Sequence, residues 1–162
     1  MKITLQKGTP HVVIRLGSLS MGGVSINVIE EHNTILKSAG TVFFGKAGRT
    51  FHNAKFDLLK AAIKDSKQIL FIILTKQSKN ELRAYSAILY DIYGSEYAPN
   101  LNFIPKYYHD SITNINTWFQ IGHLEQMSNS RLNKFTLISN GKPLIQTVVV
   151  CRTALMLVSE GS

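Results

Sequence analysis

Two apolar stretches of strand character, residues 69–75 and 82–92, are separated only by the polar link Lys76-Gln77-Ser78-Lys79-Asn80. The second stretch alternates Leu82, Ala84, Ser86, Ile88 and Tyr90 against Arg83, Tyr85, Ala87, Leu89 and Asp91. That period of two suits a half-buried strand and not a helix. The link is far too short for a parallel crossover, so the two runs pair antiparallel. A β-hairpin with long arms therefore sits at the centre of the chain, and the rest has to fold around a sheet.

The flanking segments fit that demand. Residues 11–16, His-Val-Val-Ile-Arg-Leu, are apolar and β-branched, and a small-residue loop from Gly17 to Gly23 separates them from a second strand-like run, 24–29. Residues 30–37 predict a short helix closed by Ser38-Ala39-Gly40; 41–44 reads as a strand and 45–49 as a turn. A second helix is predicted to start near Asn53, an N-cap residue, and to end near 65–67. It has Phe56, Leu59 and Ile63 on one face, with Leu58 and Ala62 beside them, and Lys55, Lys60 and Lys64 on the other. Residues 93–105 read as a loop, and 134–139 and 144–152 as strands joined by Asn140-Gly141, a hairpin turn pair. Roughly seven strands with one or two short helices make a mainly β (α+β) fold, an open seven-stranded β-barrel or pseudobarrel.

The 162 residues suit a single domain, assigned to 1–158, with 159–162 as a tail or the start of a linker. The formal net charge is +8, although only 17% of residues are charged, so the excess reflects scarce carboxylates. Residues 1–67 hold ten Lys and Arg against four acids. Such a surface favours an anionic partner, with nucleic acid first among the candidates. The single cysteine, Cys151, excludes an internal disulfide and a cysteine zinc site. The longest apolar run, 69–74, is far below the ~20 residues of a spanning helix. A soluble cytoplasmic protein is expected.

Patterns that would signal catalysis are weak. Gly45-Lys46-Ala47-Gly48-Arg49 lacks the spacing of a phosphate-binding loop, and the five histidines are dispersed without ligand spacing. Asp57 and Asp65 fall on a helix about two turns apart, and no Gly-x-Ser-x-Gly elbow occurs. The expectation is a binding domain with no catalytic residue, no metal and no cofactor. Two loops suit DNA reading. The first, Gly17-Ser18-Leu19-Ser20-Met21-Gly22-Gly23 with Arg15 before it and Ser25 after it, offers small hydroxyls, close backbone approach and a methionine for a thymine methyl. Its candidates are Arg15, Ser18, Ser20, Met21, Gly22, Gly23 and Ser25. The second, residues 93–102, supplies Tyr93, Ser95, Glu96, Tyr97, Asn100 and Asn102, with Asn suited to adenine and Glu to a cytosine amine. Lys37, Lys46, Arg49 and Lys106 are candidates for phosphate contacts.

The stretch Val13-Ile14-Arg15-Leu16-Gly17-Ser18-Leu19-Ser20-Met21-Gly22-Gly23-Val24-Ser25-Ile26 resembles the N-terminal recognition arm of the DNA-binding pseudobarrel family, which includes the plant B-three domain and EcoRII-type effector domains. The resemblance implies two arms gripping the major groove of double-stranded DNA, one at each end of the site. Val24-Ser25 stands where the restriction relatives often have His. Thr41-Val42-Phe43-Phe44-Gly45-Lys46-Ala47-Gly48-Arg49, Trp118-Phe119 and Ser139-Asn140-Gly141-Lys142-Pro143-Leu144 are similar to N-terminal specificity domains of McrB-like (LlaJI-type) restriction proteins. That resemblance implies a phage-defence role as the N-terminal part of a longer protein, joined to a motor NTPase and working with a separate nuclease subunit. The alternative is a PUA/EVE-like reader that flips a modified base onto Trp118, Tyr107 or Tyr108. A small stand-alone nuclease built on Asp57 and Asp65 is a third reading.

Overall fold

The computed structural model describes residues 8–16, 20–21, 24–25, 27–47, 53–78, 81–145 and 155–160. The central hairpin forms as expected: β5 (Leu70–Ser78) pairs antiparallel with β6 (Glu81–Tyr93), with Ile72 opposite Ser86 and Leu74 opposite Ala84. Strand β1 (His11–Leu16) lies parallel to β5 on the other side, with Val12 opposite Phe71 and Leu16 opposite Thr75. A two-residue ribbon follows, β2 (Ser20–Met21) on β3 (Val24–Ser25).

The expected strand 24–29 is shorter than its apolar pattern suggests. Helix α1 (Val28–Ala39) begins at Val28, because Asn27 caps it by accepting the Glu30 N–H at 3.1 Å. Glu30 and Glu31 then sit at the positive end of the helix dipole. Gly40 ends the helix in the left-handed region at φ 77°, its N–H donating to the Leu36 carbonyl. Strand β4 (Val42–Ala47) runs through Gly45 and Lys46, where a turn is predicted. In helix α2 (Asn53–Lys64), Asn53 is the first helical residue, Leu59 is buried, and Leu58 is exposed rather than beside the core.

The largest departure is β7 (Ile115–Met127), a strand between β4 and β6 that carries Trp118 and Phe119. Three 3₁₀ turns (Leu101–Phe103, Lys106–Tyr108 and Ile112–Asn114) lead into it. After the short α3 (Asn129–Leu132), β8 (Phe135–Leu137) is followed by the expected Asn140-Gly141 turn, with Gly141 at φ 72° and donating to the Leu137 carbonyl. The expected partner strand 144–152 lies mostly outside the described residues. Thr136 makes one bridge to Pro143, Leu144 and Ile145 are helical, and β8 pairs with β9 (Leu155–Glu160). Residues 146–152 lie outside the described residues, and Ser159 and Glu160, read above as a tail, continue β9.

The sheet order is β4-β7-β6-β5-β1-β9-β8, seven strands with one parallel neighbour pair. The fold class is therefore mainly β with short helices. Strands β1 and β5 are buried on both faces, which explains the unbroken apolar run 69–74. Val12, Ile14, Phe71 and Ile73 face the core covered by α1 and α2. Val13, Leu70, Ile72 and Leu74 face a second core closed by Leu132, Phe135 and Leu144. A third, aromatic cluster joins Phe43 and Trp118 to Ile104 and Tyr108.

Candidate nucleic-acid interface

Strand register decides where the two predicted reading loops lie. Because β1 is parallel to β5, the chain leaves Leu16 level with Thr75, which is opposite Arg83. The first loop therefore starts at the sheet end that carries the tip of the β5–β6 hairpin. Arg15 is half-buried beside Leu74, and Ser20 and Met21 pair with Ser25 and Val24. Ser18, Gly22 and Gly23 lie outside the described residues, as does Arg49. The hairpin tip beside this loop, with Lys76 and the exposed Arg83, was not selected by sequence reasoning. Basic residues flanking a polar link were the available signal, but only the parallel pairing of β1 with β5 makes the tip a neighbour of Arg15.

The second loop leaves from the opposite end of β6. From Arg83 to Tyr93 the strand advances ten residues, roughly 30 Å at the usual rise per residue. Its first residues form a pinned base. The Tyr97 N–H donates to the Gly94 carbonyl at 3.1 Å, and the Tyr93 and Tyr97 rings stack 4.0 Å apart, both packed on Phe43. The Lys60 ammonium lies 5.1 Å from the Tyr93 ring centroid and 2.9 Å from the Asp91 carboxylate. Burial, then the Asp91 charge, raises the Tyr93 pKa. Tyr93 also donates to Gln120 at 3.3 Å. Ser95 and Glu96 are exposed, and a Cβ on Gly94 would meet the Glu96 carboxylate at 2.7 Å. Asn100 uses its side-chain oxygen to accept the Asn102 N–H at 2.9 Å, and both residues are exposed.

Two of the phosphate candidates lie on elements that are tied together beside this loop. Gly45 turns its N–H and carbonyl away from β7, and the Tyr108 hydroxyl satisfies both, accepting from the N–H at 3.0 Å and donating to the carbonyl at 3.1 Å. One phenol thus takes the place of a neighbouring strand on the edge of β4, and it ties the turn bearing the exposed Lys106 to the strand bearing Lys46. Burial pushes the Tyr108 pKa up to about 12. The Lys46 ammonium donates to the Ala47 carbonyl at 2.8 Å. Lys37 is exposed in the last turn of α1.

Of the rings proposed for the base-flipping alternative, Trp118 and Tyr108 are buried and Tyr107 is half-buried. Trp118 is 0% exposed and Tyr108 meets it edge-on at 5.4 Å. Tyr107 packs on Tyr108 at 4.4 Å, and burial raises its pKa. His32 stacks on Phe44 at 4.9 Å, with its Nδ1 2.8 Å from the Val28 carbonyl. Asp57 and Asp65 are both exposed on or just after α2. Among the described residues no group of three or more His, Cys, Asp or Glu could hold a metal ion, and no helix is long and apolar enough to cross a membrane.

A seven-stranded, largely antiparallel sheet with α1 and α2 on one face and α3 against the other defines a mainly β domain. The family is shown by sequence: the Pua-like family matches residues 16–148, and the chain belongs to it. No curated protein and no solved structure matches the chain.

Proposed function

We propose that this PUA-like domain reads double-stranded DNA site-specifically through the major groove, as the target-recognition domain of a McrBC-like restriction system. In this reading the domain binds and does not cut; the motor NTPase and the nuclease belong to other domains or subunits. The observation that carries it is that β1 ends, before one polar loop, at the sheet end of Arg83, while β6 ends, before the other, at Tyr93, roughly 30 Å away along β6. That span is close to one turn of duplex, about 34 Å, so each end of the sheet can address a groove on the same side of the DNA. The excess of 18 Lys and Arg over 10 acids supplies sequence-independent affinity. Arg15, the ribbon of Ser20, Met21 and Ser25, and the hairpin tip with Lys76 and Arg83 serve one end. Asn100, Asn102, Lys46 and Lys106 serve the other.

Selection of bound duplexes from a random pool tests this directly, and enrichment of one site is expected. On that site, Arg15→Ala should cost about 1–3 kcal/mol and relax specificity, while Lys106→Ala should weaken all sequences alike and lower the salt slope by about one. Equal affinity for every duplex at moderate salt would refute the proposal.

A further inference from the structure

Among the described residues Leu101 is the most exposed large apolar side chain, at 50%. Leu58, Tyr90 and Ile138 are also exposed, but their settings differ. Leu58 lies on a helix face, and the Tyr90 ring rests against the backbone of Gly122, where a Cβ would meet its hydroxyl at 2.5 Å. Leu101 is held out on a tight turn between two exposed amides, Asn100 and Asn102. The turn is fixed on both sides. Pro99 and Ile104 are buried, Asn100 caps it through the Asn102 N–H, and the Phe103 N–H donates to the Asn100 carbonyl at 2.9 Å. Helix α1 packs against it, and the exposed Lys106 follows on the next turn.

A rigid turn loses little entropy when an apolar side chain that it presents is buried in a partner. Flanking amides can hydrogen-bond base edges while the apolar tip enters the stack; minor-groove binders wedge open base steps with leucine and similar residues in this way, and the same insertion is open to a loop that enters the major groove. We propose that Leu101 is a wedge that inserts into a base step of the bound duplex, about one helical turn from the contact made by the first loop. The proposal rests on the DNA-reading assignment above and adds a distortion of the DNA to it.

The test uses the duplex enriched from the random pool, with 2-aminopurine placed at successive positions, so that unstacking registers as a rise in fluorescence. Binding of the unaltered protein should raise the fluorescence several-fold at one step. Leu101→Ala should abolish the rise and weaken binding roughly tenfold, whereas Leu101→Phe should keep both. Thermal melting of both variants is expected to stay close to the parent, because half of the residue is already exposed to solvent. Site-specific binding with no fluorescence rise at any position, or a rise that survives Leu101→Ala, overturns the wedge and leaves DNA reading intact. Absence of any preferred duplex overturns both.

Discussion

Two buried histidines are expected to make the fold acid-labile as the pH falls below 6.5. His11 is fully buried, and its Nδ1 accepts the Leu70 N–H at 2.9 Å, tying the start of β1 to the start of β5. His32 is equally buried, donating from Nδ1 to the Val28 carbonyl. Desolvation by burial lowers each pKa from 6.5 to about 4, helped at His11 by Arg131 and opposed at His32 by the Val28 and Phe43 carbonyls. The unfolded chain therefore binds protons that the folded chain refuses. The stability is fully present above pH 6.5 and is lost as pH falls toward 4. At about 1.4 kcal/mol per pH unit, the full drop is worth about 3 kcal/mol per histidine, of which about 2 is lost by pH 5. Together the pair removes about 4 kcal/mol by pH 5, a large share of the ~5–15 kcal/mol of a typical domain.

Urea unfolding at pH 7 and pH 5, followed through the single buried Trp118, measures this directly. The variant that isolates the cause is His11→Asn with His32→Asn, because an Asn amide can keep each short hydrogen bond without titrating. Its absolute stability will be lower, since the ring contacts with Phe135 and Phe44 are lost. The difference between the two pH values should shrink to well under half of the parent's. Carboxyl groups ordinarily titrate near 4 and contribute little above pH 5. An unchanged pH difference in the double variant would refute the reasoning.

Two further substitutions probe the edge of the sheet. Tyr108→Phe removes the hydroxyl that serves both backbone groups of Gly45, and should cost about 1–3 kcal/mol in urea unfolding. Gly45→Ala places a Cβ 2.8 Å from the Trp118 ring, which has nowhere to retreat in the core, and should lower stability by about 1–3 kcal/mol with a shifted tryptophan emission.

Local pattern revealed the elements whose partners are close in sequence. The central hairpin, the helix closed by Gly40 and the Asn140-Gly141 turn were all legible for that reason. β7 was not. Its run Ile115-Asn116-Thr117-Trp118-Phe119-Gln120-Ile121-Gly122 has apolar side chains on both faces and a glycine inside, because β7 lies between β4 and β6 with Trp118 in one core and Phe119 in another. The partner of β8 was missed because β9 follows some eighteen residues later, which no spacing rule encodes. The candidate site shows the same limit. Turn chemistry marked both polar loops, but the neighbourhood of Arg15 and the hairpin tip depends on the parallel pairing of β1 with β5, and the tie between β4 and the turn bearing Lys106 depends on one tyrosine hydroxyl.

Strict alternation also fails inside β6 itself, where the failure makes a sharp prediction. Tyr85, Ala87 and Leu89 face the core under α1 and α2, yet Ile92 joins them although it lies three residues beyond Leu89. The pairing explains it: Leu89 is opposite Ile121 and Asp91 is opposite Gln120, so Tyr90 is the extra residue of a bulge. A second irregularity lies between Ser86 and Ile88, where β7 carries an extra residue and His123 adopts φ 54°. Deleting Tyr90 would leave Leu89, Asp91 and Ile92 in plain alternation, with every core residue still inward and Tyr93 still opposite Trp118. Deleting Ile88 instead would put Ala87 and Leu89 side by side and turn one of them, with everything beyond it, to the wrong face. The two deletions remove one residue each, only two positions apart. The first should give a folded protein weakened by no more than about 2 kcal/mol, and the second a chain without a cooperative unfolding transition. Equal damage from both would mean that the bulge at Tyr90 is required for the bend of the sheet rather than tolerated as an insertion.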